Sequence, residues 1–284
     1  MGKYLNRART AFGTDTRGLL EGGRYALMHT RSLEFDELRP YVPGDDVRDI
    51  DWKASARSGA VLIKRFVSEK HHKVLLVADA GAHMAGLAPS GERKCDVALD
   101  ILGAIGLITV GRADEVGMVY GDARGSINVG HRRGETHIES LLHRYHTRSA
   151  TGPSDIVCQL DYVATHYRHP MLIVVVSDEP AADARLDQVL GRLTARHDVM
   201  WAMVADMAAV SADGGYDVAT GRLVLGPAAA HPRVIAAYRR AEQQRAHRLA
   251  ELMTARAVPQ VTVTGRADIR RGVVEMTRVW SRAG

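Results

Sequence analysis

The 284 residues are 46% apolar and 25% charged, a balance that supports a sizeable buried core and excludes a disordered or fibrous chain. A formal charge of +5 favours an anionic neighbour, yet no run reaches the roughly five to eight lysines and arginines of a polyanion-binding segment, so the basic residues read as solvated faces. Cys95 and Cys158 are the only cysteines and form no CxxC pair, which excludes a disulfide framework or a cysteine-built zinc site and indicates a reducing compartment.

In chain order, "MGKYLNRARTAF" opens basic and lacks the apolar centre of a secretory leader. Residues 1–71 combine Gly22 and Gly23, the extended stretches "YALMHT" and "VLIKRFV", and a charged loop between those two stretches; they are expected to form a β-rich appendage. Over residues 72–284 short β-branched runs alternate with helical spacings. "KVLLVADA" is a buried strand, and Val97, Ile101, Ile105 and Ile108 then recur at helical intervals between Glu92 and Gly111. "VALDILGAIGLITV" within that helix carries Asp100 and is too short to cross a bilayer, so a cytoplasmic location is expected.

"EVGMVYGD" and "GSINVG" read as strands around the turn "DARG". "ETHIESLLHRY" and "SDIVCQLDYVATHY" read as helices, the second with Ser154 as its N-cap. "MLIVVVSD" and "DVMWAMVAD" are core strands, separated by a helix that Asp183 caps and that carries the stripe Leu186, Val189, Leu190 and Leu193. The hairpin-like "YDVATGRLVL", a basic helix begun by Pro232, the strand "VPQVTVTG" and a helix opened by Asp268 complete the chain. Continuous Val, Ile and Leu strands are buried on both faces, and helices supply the crossovers between them. The expected fold is therefore α/β: a doubly wound, mostly parallel sheet with an N-terminal β-rich appendage.

The stretch "YVPGDDVRDIDWKASAR" sets Asp45, Asp46, Asp49 and Asp51 among Arg48, Lys53 and Arg57. Clustered carboxylates can hold a hard cation, but cations interleaved at one to three residues compete for the same oxygens, and Gly44 precedes the acids where an EF-hand places its glycine among them. A salt-bridged loop is the other reading. Pro43 and Gly44 make a tight turn, Asp45 or Asp46 accepts backbone N–H groups, Arg48 and Arg57 clamp carboxylates, and Trp52 anchors the loop by burial against the main domain. No G-x-S-x-G elbow, P-loop or HExxH helix is present, so no catalytic residue is assigned. The enzymatic alternative is a metal-dependent phosphodiesterase using the Asp cluster, and the binding alternative is a nucleic-acid or phosphate-binding protein.

In an open α/β sheet ligands bind beyond the carboxyl ends of the strands. Asp79 in "DAGAHM", Thr136 in "RRGETHI" and Asp178 in "VVVSDEP" resemble the metal-ion-dependent adhesion site of von Willebrand factor A domains. The family's Asp-x-Ser-x-Ser falls on Asp79, Gly81 and His83, so both metal-binding hydroxyls are replaced. What remains of a Mg2+ ligand set is Asp79, Thr136 and Asp178, a degenerate site at which no cofactor is expected.

"LEFDELRPYVPGDDVRDIDWKASARSGAVLIKRF" closely resembles the signature of a bacterial family, the domain of unknown function fifty-eight. Its motif falls here on Arg39, Tyr41, Gly44, Asp45, Asp46, Arg48, Asp51, Trp52 and Arg57, which that resemblance casts as a structural or partner-docking loop. Members are thought to act with MoxR-type AAA+ ATPases. The resemblance therefore implies a non-enzymatic interaction module, an adaptor or co-chaperone with such an ATPase as its partner.

Overall fold

Strands that are apolar at every position can be stable only when covered on both faces, and the computed structural model shows how this chain covers them. It describes residues 2–13, 33–42, 45, 47, 50–68, 72–148, 152–208, 215–217, 222–224 and 232–282. Two compact units are present, one formed by residues 1–28 with 73–284 and the other by residues 29–72.

The larger unit holds a six-stranded sheet of β3 (Lys73–Asp79), β4 (Glu115–Asp122), β5 (Gly125–Arg132), β6 (Leu172–Ser177), β7 (Asp198–Val204) and β10 (Gln260–Val263), in the order β10-β7-β6-β3-β4-β5. All pairings are parallel except that of the edge strand β5, which returns antiparallel to β4 through a tight turn. A small hairpin, β8 (Gly215–Asp217) with β9 (Arg222–Val224), stands outside this sheet.

One face is covered by α1 (Lys3–Phe12), α3 (Lys94–Gly111), α4 (Glu135–Thr147) and α8 (Ile269–Arg282), whose apolar residues meet Val74, Leu76 and Ala78 of β3. The other is covered by α5 (Ile156–His166), α6 (Ala184–Thr194) and the end of α7 (Pro232–Ala255), which meet Leu75 and Val77. Alternate residues of one strand thus feed opposite cores, the period of two expected of a pleated strand. This is the doubly wound, mostly parallel sheet anticipated from the sequence.

Because α3 is apolar almost all round, it runs as a buried helix with neighbours on several sides. A Cβ at Gly103 would lie 2.6 Å from the Ala8 Cβ of α1, and one at Gly106 2.6 Å from the Ile138 Cγ2 of α4, so glycine is what lets three helices approach here. Asp100, the charge that interrupts this helix, is buried. Arg7 of α1 grips it with Nε at 2.6 Å from Oδ1 and Nη2 at 3.0 Å from Oδ2, and the Arg266 Nε adds a bond of 2.8 Å.

These contacts correct the expected division at residues 71 and 72. The N-terminal helix buries Leu5, Ala8 and Phe12 in the core of the larger unit, so residues 2–13 belong there and not to the appendage. The smaller unit pairs β1 (Leu33–Pro40) antiparallel with β2 (Leu62–Ser68), and α2 (Trp52–Ser58) lies between them in sequence. Gly22, Gly23 and "YALMHT" lie outside the described residues.

Candidate functional site

In the larger unit β3 and β6 are adjacent and parallel, so Asp79 and Asp178 emerge from the same edge of the sheet. Asp79 is 1% exposed. Its Oδ1 accepts the Gly81 N–H at 2.7 Å, and its Oδ2 is buried without a hydrogen-bond partner. Burial, and then the nearby charge of Asp178, push the Asp79 pKa up to about 6; the Gly81 N–H and the Ser154 hydroxyl offset only part of that. Burial would raise Asp178 as well, but His83 and Lys94 outweigh it and hold this carboxyl below the usual carboxylate range. The His83 Nδ1 and the Lys94 Nζ both stand 3.4 Å from the same oxygen, Asp178 Oδ2. The hydrogen bond to Asp178 raises the His83 pKa, against the opposing effect of burial.

Lys94 begins α3 and is directed back under the strand ends, with its side chain 2% exposed. It also pairs with Asp206, which follows β7. Behind the cluster, the Trp201 indole donates to the Ser177 hydroxyl at 3.0 Å, and that hydroxyl donates to the Asp178 carbonyl at 2.6 Å. The strand end is therefore fixed from within the core. At the surface, Leu87 and Met207 are 45% and 37% exposed and are tied by a backbone bond from the Met207 N–H to the Leu87 carbonyl.

Thr136 does not join this cluster. Because β5 runs antiparallel, the hairpin carries the chain back to the amino end of the sheet: Arg132 pairs with Val116 at the start of β4, and His137 bonds the Val116 carbonyl at 2.9 Å. Thr136 is thus exposed at the edge opposite Asp79. The hydroxyl that does reach the cluster is Ser154, which accepts the His83 N–H at 3.1 Å. Its loop is pinned across two strand ends by Ala82 N–H to Gly152 O at 2.7 Å and Ala123 N–H to Pro153 O at 2.8 Å. Ser154 is also not the cap of α5; that is Asp155, which accepts the Val157 N–H. Lys94, Ser154 and Asp206 were missed as site residues. The usable signal was a lysine at the head of a largely apolar helix, where a cation is buried only if a carboxylate awaits it.

In the smaller unit the charged loop spends its described carboxylates on local structure. Asp45 takes the Arg39 Nη2 at 2.6 Å and the Val42 N–H at 3.0 Å, and the bond to Arg39 leads the lowering of its pKa. Asp51 caps α2 by accepting the Lys53 and Ala54 N–H groups at 3.1 and 2.9 Å. Ser55 donates its hydroxyl to the Asp51 carbonyl and accepts the Leu62 N–H, both at 2.8 Å, while Tyr41 N–H bonds Val61 O at 2.9 Å. Two expectations are corrected here. Within its own unit Trp52 is not a buried anchor, being 69% exposed, and Asp51 and Ser55 hold the loop by hydrogen bonds. Arg57 is exposed in the last turn of α2, and the clamp on a carboxylate comes from Arg39. Gly44, Asp46 and Arg48 lie outside the described residues, as do Pro43 and Asp49.

The profile of the family described as "Protein of unknown function DUF58" matches residues 37–221, which include both the charged loop and the strands bearing Asp79 and Asp178. The chain belongs to this family. Relatives within reach of sequence comparison include uncharacterized proteins of Mycobacterium bovis and Mycobacterium tuberculosis, each 26% identical over 192 residues that make up 66% of this chain. The chain spans 60% of the length of those relatives.

Solved structures similar to this family member include an aerotolerance-related membrane protein from Bacteroides fragilis, at 12% identity and a TM-score of 0.46, covering 73% of this chain and 98% of that one. A von Willebrand factor type A protein from Catenulispora acidiphila matches at 12% identity and a TM-score of 0.45, covering 77% of this chain and 44% of that one. Among the described residues no helix is long and apolar enough to cross a membrane.

Proposed function

We propose that this chain is a non-enzymatic protein-interaction module of the cytoplasm, an adaptor or co-chaperone whose partner is a MoxR-type AAA+ ATPase. Docking uses the carboxyl-end loops of the larger unit's sheet together with the charged loop of the smaller unit. The observation that carries this reading is the pairing, at the carboxyl edge, of a rigidly bonded acid–base cluster with an exposed apolar rim. Asp178, His83, Lys94 and Asp206 neutralise one another in place, and Leu87 with Met207 presents apolar surface beside them. Apolar surface that stays exposed next to a fixed polar group is what a partner's interface core and its register-setting contact require. The phosphodiesterase alternative loses support because Asp45 and Asp51 are committed to a turn and a helix cap, which leaves their oxygens poorly placed for two metals.

The test is co-purification of a MoxR-type AAA+ ATPase with this chain from native cell extract, with and without ATP. Recovery is expected to depend on ATP and to drop at least roughly tenfold for Leu87→Asp, since a charge in an interface core costs more than 1.4 kcal/mol. Undiminished recovery with Leu87→Asp and Met207→Asp together would show that this edge is not the docking surface.

A further inference from the structure

We infer that Lys94 supplies, as a side-chain ammonium fixed within the fold, the positive charge that a divalent ion supplies in clefts of this geometry, so that the carboxyl-edge cluster is built to work without metal. Three features of the cluster support this. The first is occupancy of the acceptor. The Asp178 oxygen that faces the cleft already has two nitrogen donors, His83 Nδ1 and Lys94 Nζ, each at 3.4 Å, and Lys94 extends the same charge to Asp206. A cation placed there would be repelled by the ammonium and would have to displace it from a site where its side chain is 2% exposed.

The second is the shape of the loop after β3. A Cβ on Gly81 would lie 2.4 Å from the Ser154 hydroxyl oxygen, 2.5 Å from its Cα and 2.7 Å from its backbone N. Two of those three atoms are backbone, so no rotamer change relieves the clash, and a hydroxyl-bearing residue cannot be accommodated at position 81 with Ser154 where it is. The chain has closed over the space in which a first serine ligand would stand. The third is the donor set itself. Mg2+ seeks about six oxygens at 2.0–2.1 Å, whereas here imidazole and ammonium nitrogens stand at Asp178 Oδ2, and Asp79 Oδ2 is buried without a hydrogen-bond partner. The residues therefore do not fit a hard divalent ion. A tethered ammonium is a weaker and less directional charge than a metal, but it cannot be chelated away or exchanged.

Lys94 lies in the same cleft as the proposed docking surface, and its role is tested apart from docking because the readout is metal-dependent stability and not partner capture. The full chain is melted in EDTA, in MgCl2 and in MnCl2. The wild-type melting temperature is expected to be the same in all three. Lys94→Ala is expected to melt several degrees lower in EDTA and to recover part of the loss in MnCl2, since Asp178 and Asp206 would then lose the ammonium between them. Lys94→Arg keeps the charge and is expected to remain indifferent to metal. A Lys94→Ala protein as stable as the wild type in EDTA, or a loss that MnCl2 leaves untouched, would overturn the proposal by reducing Lys94 to an ordinary ion pair. Should Lys94→Ala fail to fold, calorimetric titration of the wild-type chain with MnCl2 decides the matter. Absence of heat supports the proposal, and stoichiometric binding that Asp178→Asn abolishes would overturn it.

Discussion

Replacing Arg7 by methionine is expected to destabilise the larger unit by about 3 kcal/mol in urea denaturation at neutral pH, and replacing Asp100 by leucine in the same chain to recover most of that loss. The reason lies in the setting of Asp100. It projects from a helix buried on nearly every side, and its charge is tolerated only because Arg7 and Arg266 bring N–H donors to both of its oxygens. Removing the Arg7 guanidinium takes away the two-point grip and leaves a buried carboxylate with one partner, a situation that costs several kcal/mol when no relaxation restores hydration. Removing the carboxylate as well leaves an apolar surface, and Arg266 retains Glu92, 3.8 Å from its Nε. Coupling of this sign, with the double variant more stable than the single one, separates a charge problem from lost packing by α1. Additive losses would mean that the Arg7 stem, not its charge, holds the helix in place.

Asp79→Asn is expected to act in the opposite direction, stabilising the protein by about 2–3 kcal/mol at pH 7.5. A carboxyl with a pKa of about 6 in the folded chain and 3.8 in the unfolded chain binds its proton more tightly when folded. The stability contributed by that proton is full below pH 3.8 and is lost as the pH rises through 6, above which the fold holds a desolvated charge facing that of Asp178. Asparagine carries no charge to desolvate, and its amide keeps an oxygen for the Gly81 N–H, the bond that Oδ1 now accepts at 2.7 Å. The advantage of the variant should therefore shrink as the pH is lowered from 7 to 4. An unchanged or lower stability of Asp79→Asn at pH 7.5 would show that the ionised carboxylate is held favourably, for example by a cation.

Much of the fold was legible because core strands such as β3 and β6 are nearly unbroken apolar runs and the crossover helix α6 carries a clear 3.6-residue stripe. Leu186, Val189, Leu190 and Leu193, for instance, are all buried as the spacing required. Asp79 and Asp178 could be placed at the cleft for the same reason: they end strands whose burial fixed both register and direction. Thr136 was misplaced because the sequence does not say that the strand "GSINVG" runs backwards. One antiparallel edge strand moves its loop to the far end of the sheet. The helix over Lys3–Phe12 escaped notice for a different reason. Leu5, Ala8 and Phe12 are too few to mark an amphipathic helix in a basic segment, and their partner is the glycine-lined groove of α3, a feature that only tertiary packing creates.

Whether the carboxyl edge of the sheet is the surface that meets a partner is decided by site-specific photocrosslinking in a native cell extract. A photoreactive residue is placed either at Leu87, on the exposed rim beside Lys94 and Asp206, or at Thr136, exposed at the opposite end of the same sheet. ATP-dependent crosslinks to a AAA+ ATPase are expected from position 87 and none from position 136. Crosslinks to that ATPase from position 136 alone would contradict the proposed docking surface.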